Sequence, residues 1–287
     1  MSKKIQPGNA VIGAVLIGFA FMTFMPFYYV IMASISDPAR IREGELLLWP
    51  QGLDLTAYTI ILQNERFITS FGNTLARTGL GLAINLSLQL TFAYALSKRY
   101  LPGQKFFMIF TIITMLFNGG IIPTYLVVKG TGLIDTIWAL VIPAAISTWN
   151  VILLKSFFEN IPASLEESAR IDGANDLSIF ARIYLPLSTA SIATIGLFIA
   201  VQHWNTYMDA VIYINTASKQ VLQIFLRDMV VQLEMAAVLG DMGVVNETSS
   251  LSVRTASIFL VALPIIIVYP FIQRYFVKGV MLGAVKG

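Results

Sequence analysis

Six stretches of this chain are each long and apolar enough to cross the hydrocarbon core of a bilayer, and they limit the possible folds more than any other feature. They are residues 9–34, 71–96, 106–128, 136–157, 187–209 and 255–276. At 1.5 Å per helical residue, a ~30 Å core needs about 20 residues. Lipid supplies no hydrogen bonds, so each backbone N–H and C=O must be paired inside the protein, and a helix does this within one segment. The predicted class is therefore an all-α polytopic membrane protein with six transmembrane helices. Composition agrees: 12% of residues are charged, where a soluble domain carries about 25%. No internal repeat or low-complexity tract breaks the pattern, so residues 1–287 read as a single transmembrane domain.

Charge placement gives the orientation. Lys3 and Lys4 precede the first span, and Lys98, Arg99 and Lys105 join the second to the third. Lys155, Arg170 and Arg182 lie in or beside the fourth–fifth connection, and Arg274, Lys278 and Lys286 follow the last span. The positive-inside rule puts both termini and the fourth–fifth loop in the cytoplasm. The first apolar stretch is too long for a signal-peptide core and lacks a cleavage site, so it reads as a retained span. Two outer segments are long. Residues 37–70 are turn-rich, with Pro38, Trp49-Pro50 and Gly52. In 211–254, Val221, Leu222, Phe225, Leu226, Met229 and Leu233 recur at helical spacing. That helix would lie on the membrane or the protein's own rim, or meet a soluble partner.

Several chemistries drop out. There is no cysteine, so thiolate metal sites and cysteine nucleophiles are excluded, and His203 is the one histidine. No catalytic or metal constellation is visible, which argues against an enzyme. The net charge of +3 comes without a Lys/Arg run, so nucleic acid is not an expected partner.

The connection 159–186 is the most informative segment. Ser164 and Glu167 have capping-box spacing, predicting a helix from Leu165. Glu166 and Arg170 can pair one turn apart. Gly173 is placed to end that helix in a left-handed conformation. Asn175 can cap a second helix whose residues Leu177, Phe180, Ala181 and Tyr184 share a face, and Pro186 begins the fifth span. So short a helix is marginal alone in water and must dock on its own bundle or on a partner.

This segment resembles the EAA loop of ABC importer permeases. Glu167, Ala169, Gly173, Ile183, Leu185 and Pro186 match at the family spacing, with Ser168 replacing one alanine. Asp172-Gly173-Ala174 is typical of the sugar branch. The runs 118–123, 153–158 and 278–287 look like MalG-like oligosaccharide permeases, closest to those for complex polysaccharide fragments. The resemblance implies a type I ABC importer permease fold in a bacterial inner membrane. It implies a sugar or oligosaccharide substrate, an acidic polysaccharide fragment being one candidate. It also implies a second permease subunit, an extracytoplasmic solute-binding protein and two cytosolic ATPase subunits. Those subunits would bind ATP and magnesium, leaving no cofactor in this chain. The ATPase-coupling residues would be Glu166, Glu167, Ser168, Ala169, Asp172 and Gly173.

Other polar residues fall within spans. Asn118-Gly119-Gly120 and Pro123 would loosen the third, either for close packing or to line a path. Trp204 and Asn205, beside His203, with Asn118 and Asn150, are candidate substrate-path residues, since aromatic faces and amides suit sugars. A tryptophan near an interface is, however, more often a membrane-belt residue than a sugar contact. Arg77 is expected to snorkel outward. The basic tail with Lys278 and Lys286 either reaches the ATPase interface, as the resemblance implies, or meets anionic lipid headgroups. The competing reading is an ion-coupled secondary transporter, which commonly uses carboxylates near the midplane and inverted repeats. Neither feature is visible.

Overall fold

The computed structural model describes residues 7–40, 48–117, 119–239 and 247–284. Among the described residues the chain is helical, with a single antiparallel bridge between Ser36 and Leu53 and no strand. The helices are α1 Pro7–Ser34, α2 Thr56–Leu62, α3 Glu65–Ser97, α4 Gln104–Leu116, α5 Ile121–Gly130, α6 Trp138–Val141 and α7 Thr148–Glu159. They continue with α8 Ala163–Ile171, α9 Asp176–Ile179, α10 Leu185–Leu187, α11 Thr189–Asn205, α12 Met208–Tyr213, α13 Leu222–Leu239 and α14 Glu247–Ala284.

Among these residues three helical stretches are apolar and long enough to span a membrane unbroken: Val11–Ser34, Glu65–Ser97 and Leu251–Pro270. Two bent pairs reach that length and apolarity only when each is taken together, α4 with α5, and Asp176–Leu187 with α11, the latter at 84°, so among the described residues there are three to five candidate spans rather than the six expected. The third expected span is thus not a loosened helix but two helices. Gly120 adopts φ 83° at its break, and Pro123 falls in the first turn of α5. The expected fourth span, 136–157, also divides, into α6 and α7. Pro143 lies between them and cannot donate to a helical ladder. α1 is apolar all round, and among the described residues nothing buries its most apolar stretch, as suits a helix whose solvent is lipid.

The chain forms two compact units. In the first, Met1–Ile68 with Phe225–Pro264, Ala33 packs among Tyr29, Met32 and Leu251. Tyr58 bonds Ser34 at 2.6 Å and meets Phe259 edge-on, and Arg66 pairs with Asp228. Of the periodic residues expected on one helix face, Val221, Leu222 and Phe225 are buried in the protein, with Leu226 and Met229 half-buried. Leu233's side chain lies outside the described residues.

The second unit, Thr69–Ile224 with Ile265–Gly287, carries two cores. One joins Leu90, Ala93 and Leu96 of α3, Val151, Leu154 and Phe158 of α7, Ile195 and Ile199 of α11, and Ile179 and Tyr184 between. The other joins Val128, Leu140, Ala210, Tyr213, Val221 and Ile224. Small residues allow close helix approach, as membrane packing favours: Gly196 of α11 faces Leu82 and Leu86 of α3.

A polar stripe runs down α3 at every fourth position, Arg77, Gly81, Asn85 and Gln89, and so along one face. Asn85 Nδ2 donates to the Ala144 carbonyl at 3.2 Å and reaches His203 Nε2 at 2.8 Å. Gln89 Nε2 donates to the Ala145 carbonyl at 2.9 Å. These amides satisfy carbonyls freed by the α6–α7 break, the condition for irregular backbone at membrane depth. Arg77 does not snorkel. It is buried, pairs with Asp209, and donates to the Thr206 carbonyl at 2.7 Å. An inward carboxylate partner is a better solvent for guanidinium than a path to the membrane surface.

Candidate functional site

The segment 159–186 folds as a helix–turn–helix, with one correction to its start. α8 begins at Ala163 rather than at Leu165, and Pro162 is its N-cap without a side-chain cap bond. Ser164 and Glu167 therefore sit inside the helix. Pro162 adopts φ −57° and ψ 128°, and its ring fixes that φ on its own. The other end follows the local sequence. Gly173 has φ 82°, its N–H bonds the Arg170 carbonyl at 3.0 Å, and the Ala174 N–H reaches the Ala169 carbonyl at 2.9 Å. This pair of bonds is a Schellman stop. Asn175 caps α9 by accepting from the Ser178 N–H at 2.8 Å.

Beyond α9 the residues Phe180–Tyr184 form a π-helical turn. Its wider turn shifts the buried face. Ile179 and Tyr184 are buried and Phe180 and Ile183 half-buried, while Leu177 and Ala181 are exposed rather than on the shared inner face expected.

The two adjacent glutamates differ in exposure, Glu166 being half-buried and Glu167 exposed. Glu166 faces inward and accepts from Lys98 Nζ at 2.5 Å, Tyr184 Oη at 2.8 Å and Arg170 Nη2 at 2.9 Å. Its side chain is 14% exposed and that of Lys98 7%. Burial pushes the Glu166 carboxyl up, but hydrogen bonds from Lys98, Arg170 and Tyr184 outweigh it and hold the group at about 2. Arg170 bridges onward to Asp176 Oδ1 at 2.5 Å and to Tyr100 Oη at 2.5 Å. The Lys98 ammonium also sits over the Tyr184 ring at 3.9 Å and the Tyr94 ring at 4.4 Å. Lys98, Glu166, Glu167, Arg170 and Tyr184 line a cavity of about 390 Å³ beside α8.

Glu167, Ser168, Asp172 and Gly173 are exposed, while Ala169 is half-buried against the core. Next to them Ile171 is 86% exposed and Leu177 73%. α8 thus offers one free face of mixed apolar and acidic character and is fastened by the other.

Three of the four substrate-path residues are described, and they differ in exposure. Trp204 is buried, with Phe71 edge-on at 5.9 Å, so its ring faces are not open to a solute. Asn150 is buried, Asn205 is exposed, and Asn118 lies outside the described residues. Among the described residues no cluster fit for a metal ion occurs.

At the far end of α3, Asp135 adopts φ 61°. It accepts from the N–H groups of Asn215 at 3.0 Å and Thr216 at 2.9 Å, from Thr216 Oγ1 at 2.7 Å and from Lys219 Nζ at 2.8 Å. These bonds, the one from Lys219 foremost, hold its carboxyl well below the usual range. Asn73 Nδ2 donates to the Ser218 and Gln220 carbonyls at 2.8 and 3.0 Å.

No protein-family model matches the chain. The polygalacturonan/rhamnogalacturonan transport system permease protein YtcP of Bacillus subtilis is 44% identical over 273 residues, covering 95% of this chain and 96% of that protein. A solved bacterial ABC transporter involved in import of the acidic polysaccharide alginate contains a chain 36% identical. The match covers 96% of this chain and all of that one, with a TM-score of 0.85. A chain from a bacterial alginate ABC transporter in complex with alginate pentasaccharide-bound periplasmic protein shares the fold at 16% identity and a TM-score of 0.57, covering 92% of each chain.

Proposed function

The chain belongs to the sugar-importing ABC transporter permeases, and on that premise we propose that α8 is the helix through which a cytosolic ATPase drives it. The observation that carries this is the division of α8 into two faces. Glu167, Ser168, Ile171 and Asp172 are exposed, while Glu166 and Ala169 are fastened to the bundle. A nine-residue helix is too short to persist alone, and a large exposed isoleucine flanked by acids suits a groove with an apolar floor and basic rim. Glu167 and Asp172 supply charge, and Ser168 allows close approach.

The chain forms half of the transmembrane pathway beside a second permease, with six crossings in which α6 and α7 together make one. Both termini and the 159–186 loop are cytoplasmic. The ATPase pair binds ATP and magnesium, and an extracytoplasmic binding protein delivers the solute. The substrate is an acidic oligosaccharide. Polygalacturonan and alginate, the polymers named for two similar proteins, share sugar carboxylates. Asn205 is the exposed path candidate.

The test is Gly173→Pro, which denies the stop its positive φ and a donor. Expected is an inserted permease that fails to retain the ATPase in a pull-down, or retains it without stimulation by loaded binding protein. Normal assembly with normal stimulation removes α8 from this role. The substrate class is checked by calorimetric titration of the binding protein with oligogalacturonate and with a neutral oligosaccharide of equal length.

A further inference from the structure

We infer that Lys98 is the positioning residue that makes α8 a stiff extension of α3, so that force on the exposed face of α8 enters the membrane bundle through one buried ion pair. The inference rests on α8 being the ATPase-contacting helix, and it concerns what happens behind that contact.

Lys98 is the first residue past the end of α3 and is 6% exposed. A lysine at a membrane boundary ordinarily reaches for water or headgroups. Here its ammonium is held over two tyrosine rings, Tyr94 of α3 and Tyr184 of the π-helical turn leading to α11. It then closes on Glu166. Three elements therefore meet at one cation: α3, α8 and the turn before α11. The two rings pack on each other at 4.9 Å and on Phe158 of α7, so the socket is itself part of the core.

Tyr184 Oη donates to the same Glu166 carboxylate at 2.8 Å and so belongs to this socket, while the other inward contacts of α8 are softer. Ala169 offers one methyl group to the core. Arg170, 40% exposed, is tied to Asp176 and Tyr100 in contact with solvent, where charge pairs are screened and weak. A charge-assisted bond in a low-dielectric socket is both stronger and more directional. Lys98–Glu166, with Tyr184 on the same carboxylate, is accordingly the contact that resists rotation of α8, and Lys98 is its link to the end of α3. Glu167, one residue on, is exposed.

The experiment uses the complete transporter, with its ATPase and binding protein. Lys98→Met leaves Glu166 with Arg170 and Tyr184. It is expected to retain ATPase in a pull-down while the maximal binding-protein-stimulated hydrolysis falls by roughly tenfold. The binding-protein concentration giving half-stimulation should not move. Lys98→Arg should restore the maximum, since guanidinium also stacks on tyrosine and pairs with a carboxylate. The chain has no cysteine, so in Lys98→Cys/Glu166→Cys a cleavable bifunctional thiol reagent addresses only that pair in this subunit. Stimulation should be low before crosslinking, recover with it, and fall again on cleavage. Normal stimulation in Lys98→Met overturns the inference. So does failure of both the arginine and the crosslink to restore it, or loss of assembly in Lys98→Met. Gly173→Pro separates the two levels: if that variant assembles and is stimulated normally, the docking role of α8 falls, whatever Lys98 does.

Discussion

Gly81 of α3 lies so close beneath His203 of α11 that a β-carbon on it would stand 2.4 Å from the imidazole ring. The ring cannot retreat easily, because its Nε2 is tied to Asn85 at 2.8 Å. Gly81→Ala should therefore destabilise by about 1–3 kcal/mol through overpacking. Gly79, two residues earlier, has nothing within 4 Å of the place a β-carbon would occupy, so Gly79→Ala should be neutral or mildly stabilising. Thermal unfolding of the two variants in nanodiscs checks the contrast, and equal midpoints would refute the close approach.

Arg77 and Asp209 should be worth more as a pair than either is alone. Arg77→Met strands a carboxylate and should cost about 3–5 kcal/mol, as breaking a buried pair does. Arg77→Met/Asp209→Leu should recover much of that loss. A double-mutant cycle on the thermal midpoint measures the coupling, and simple additivity would mean that the pair does not hold α3 to the α11–α12 junction.

Gly173 has open space where a side chain would go, so any penalty there is conformational. Gly173→Ala should cost about 1 kcal/mol for a left-handed residue bearing a β-carbon. Gly173→Asn should cost less, since asparagine visits that region more readily. Coupling efficiency in reconstituted vesicles should rank glycine, asparagine, alanine, in that order.

Glu166 gives a pH dependence of known sign. Its folded value of about 2 lies below the ordinary 4.5, so the unfolded chain binds the proton first as pH falls. The stabilisation is complete above pH 4.5 and is lost as pH drops from there through about 2. The thermal midpoint of wild type minus that of Glu166→Gln should be flat above this window and shrink within it. A difference that shrinks as pH rises instead would contradict the ion-pair assignment.

What the sequence disclosed here was local. Gly173 and Asn175 act within a few residues of themselves, and both took the conformations their chemistry favours. The Ser164–Glu167 box failed because Pro162, whose φ is set by its ring, started the helix earlier. The glycines at 119 and 120 and Pro143 marked weak points in two apolar stretches, yet neither states how far a helix will break. That depends on partners such as Asn85 and Gln89, more than fifty positions away from the carbonyls they meet. Lys98 was legible only as a positive-inside residue. Its partner Glu166 lies 68 positions on, and no periodicity links them. Arg77 misled for the same reason, since a lone arginine in an apolar run says nothing of an aspartate brought to it by another helix.

The bonds that converge on Asp135 also bear on kinetics. A free loop of the length of 215–220 would lose roughly 1–2 kcal/mol of backbone freedom per residue when a protein settled on it. Here that freedom was given up during folding, at the expense of a left-handed aspartate. Any partner that settled on 215–220 would therefore meet a loop already in its final shape, and its association would be limited by orientation and charge steering rather than by waiting for the loop to fold.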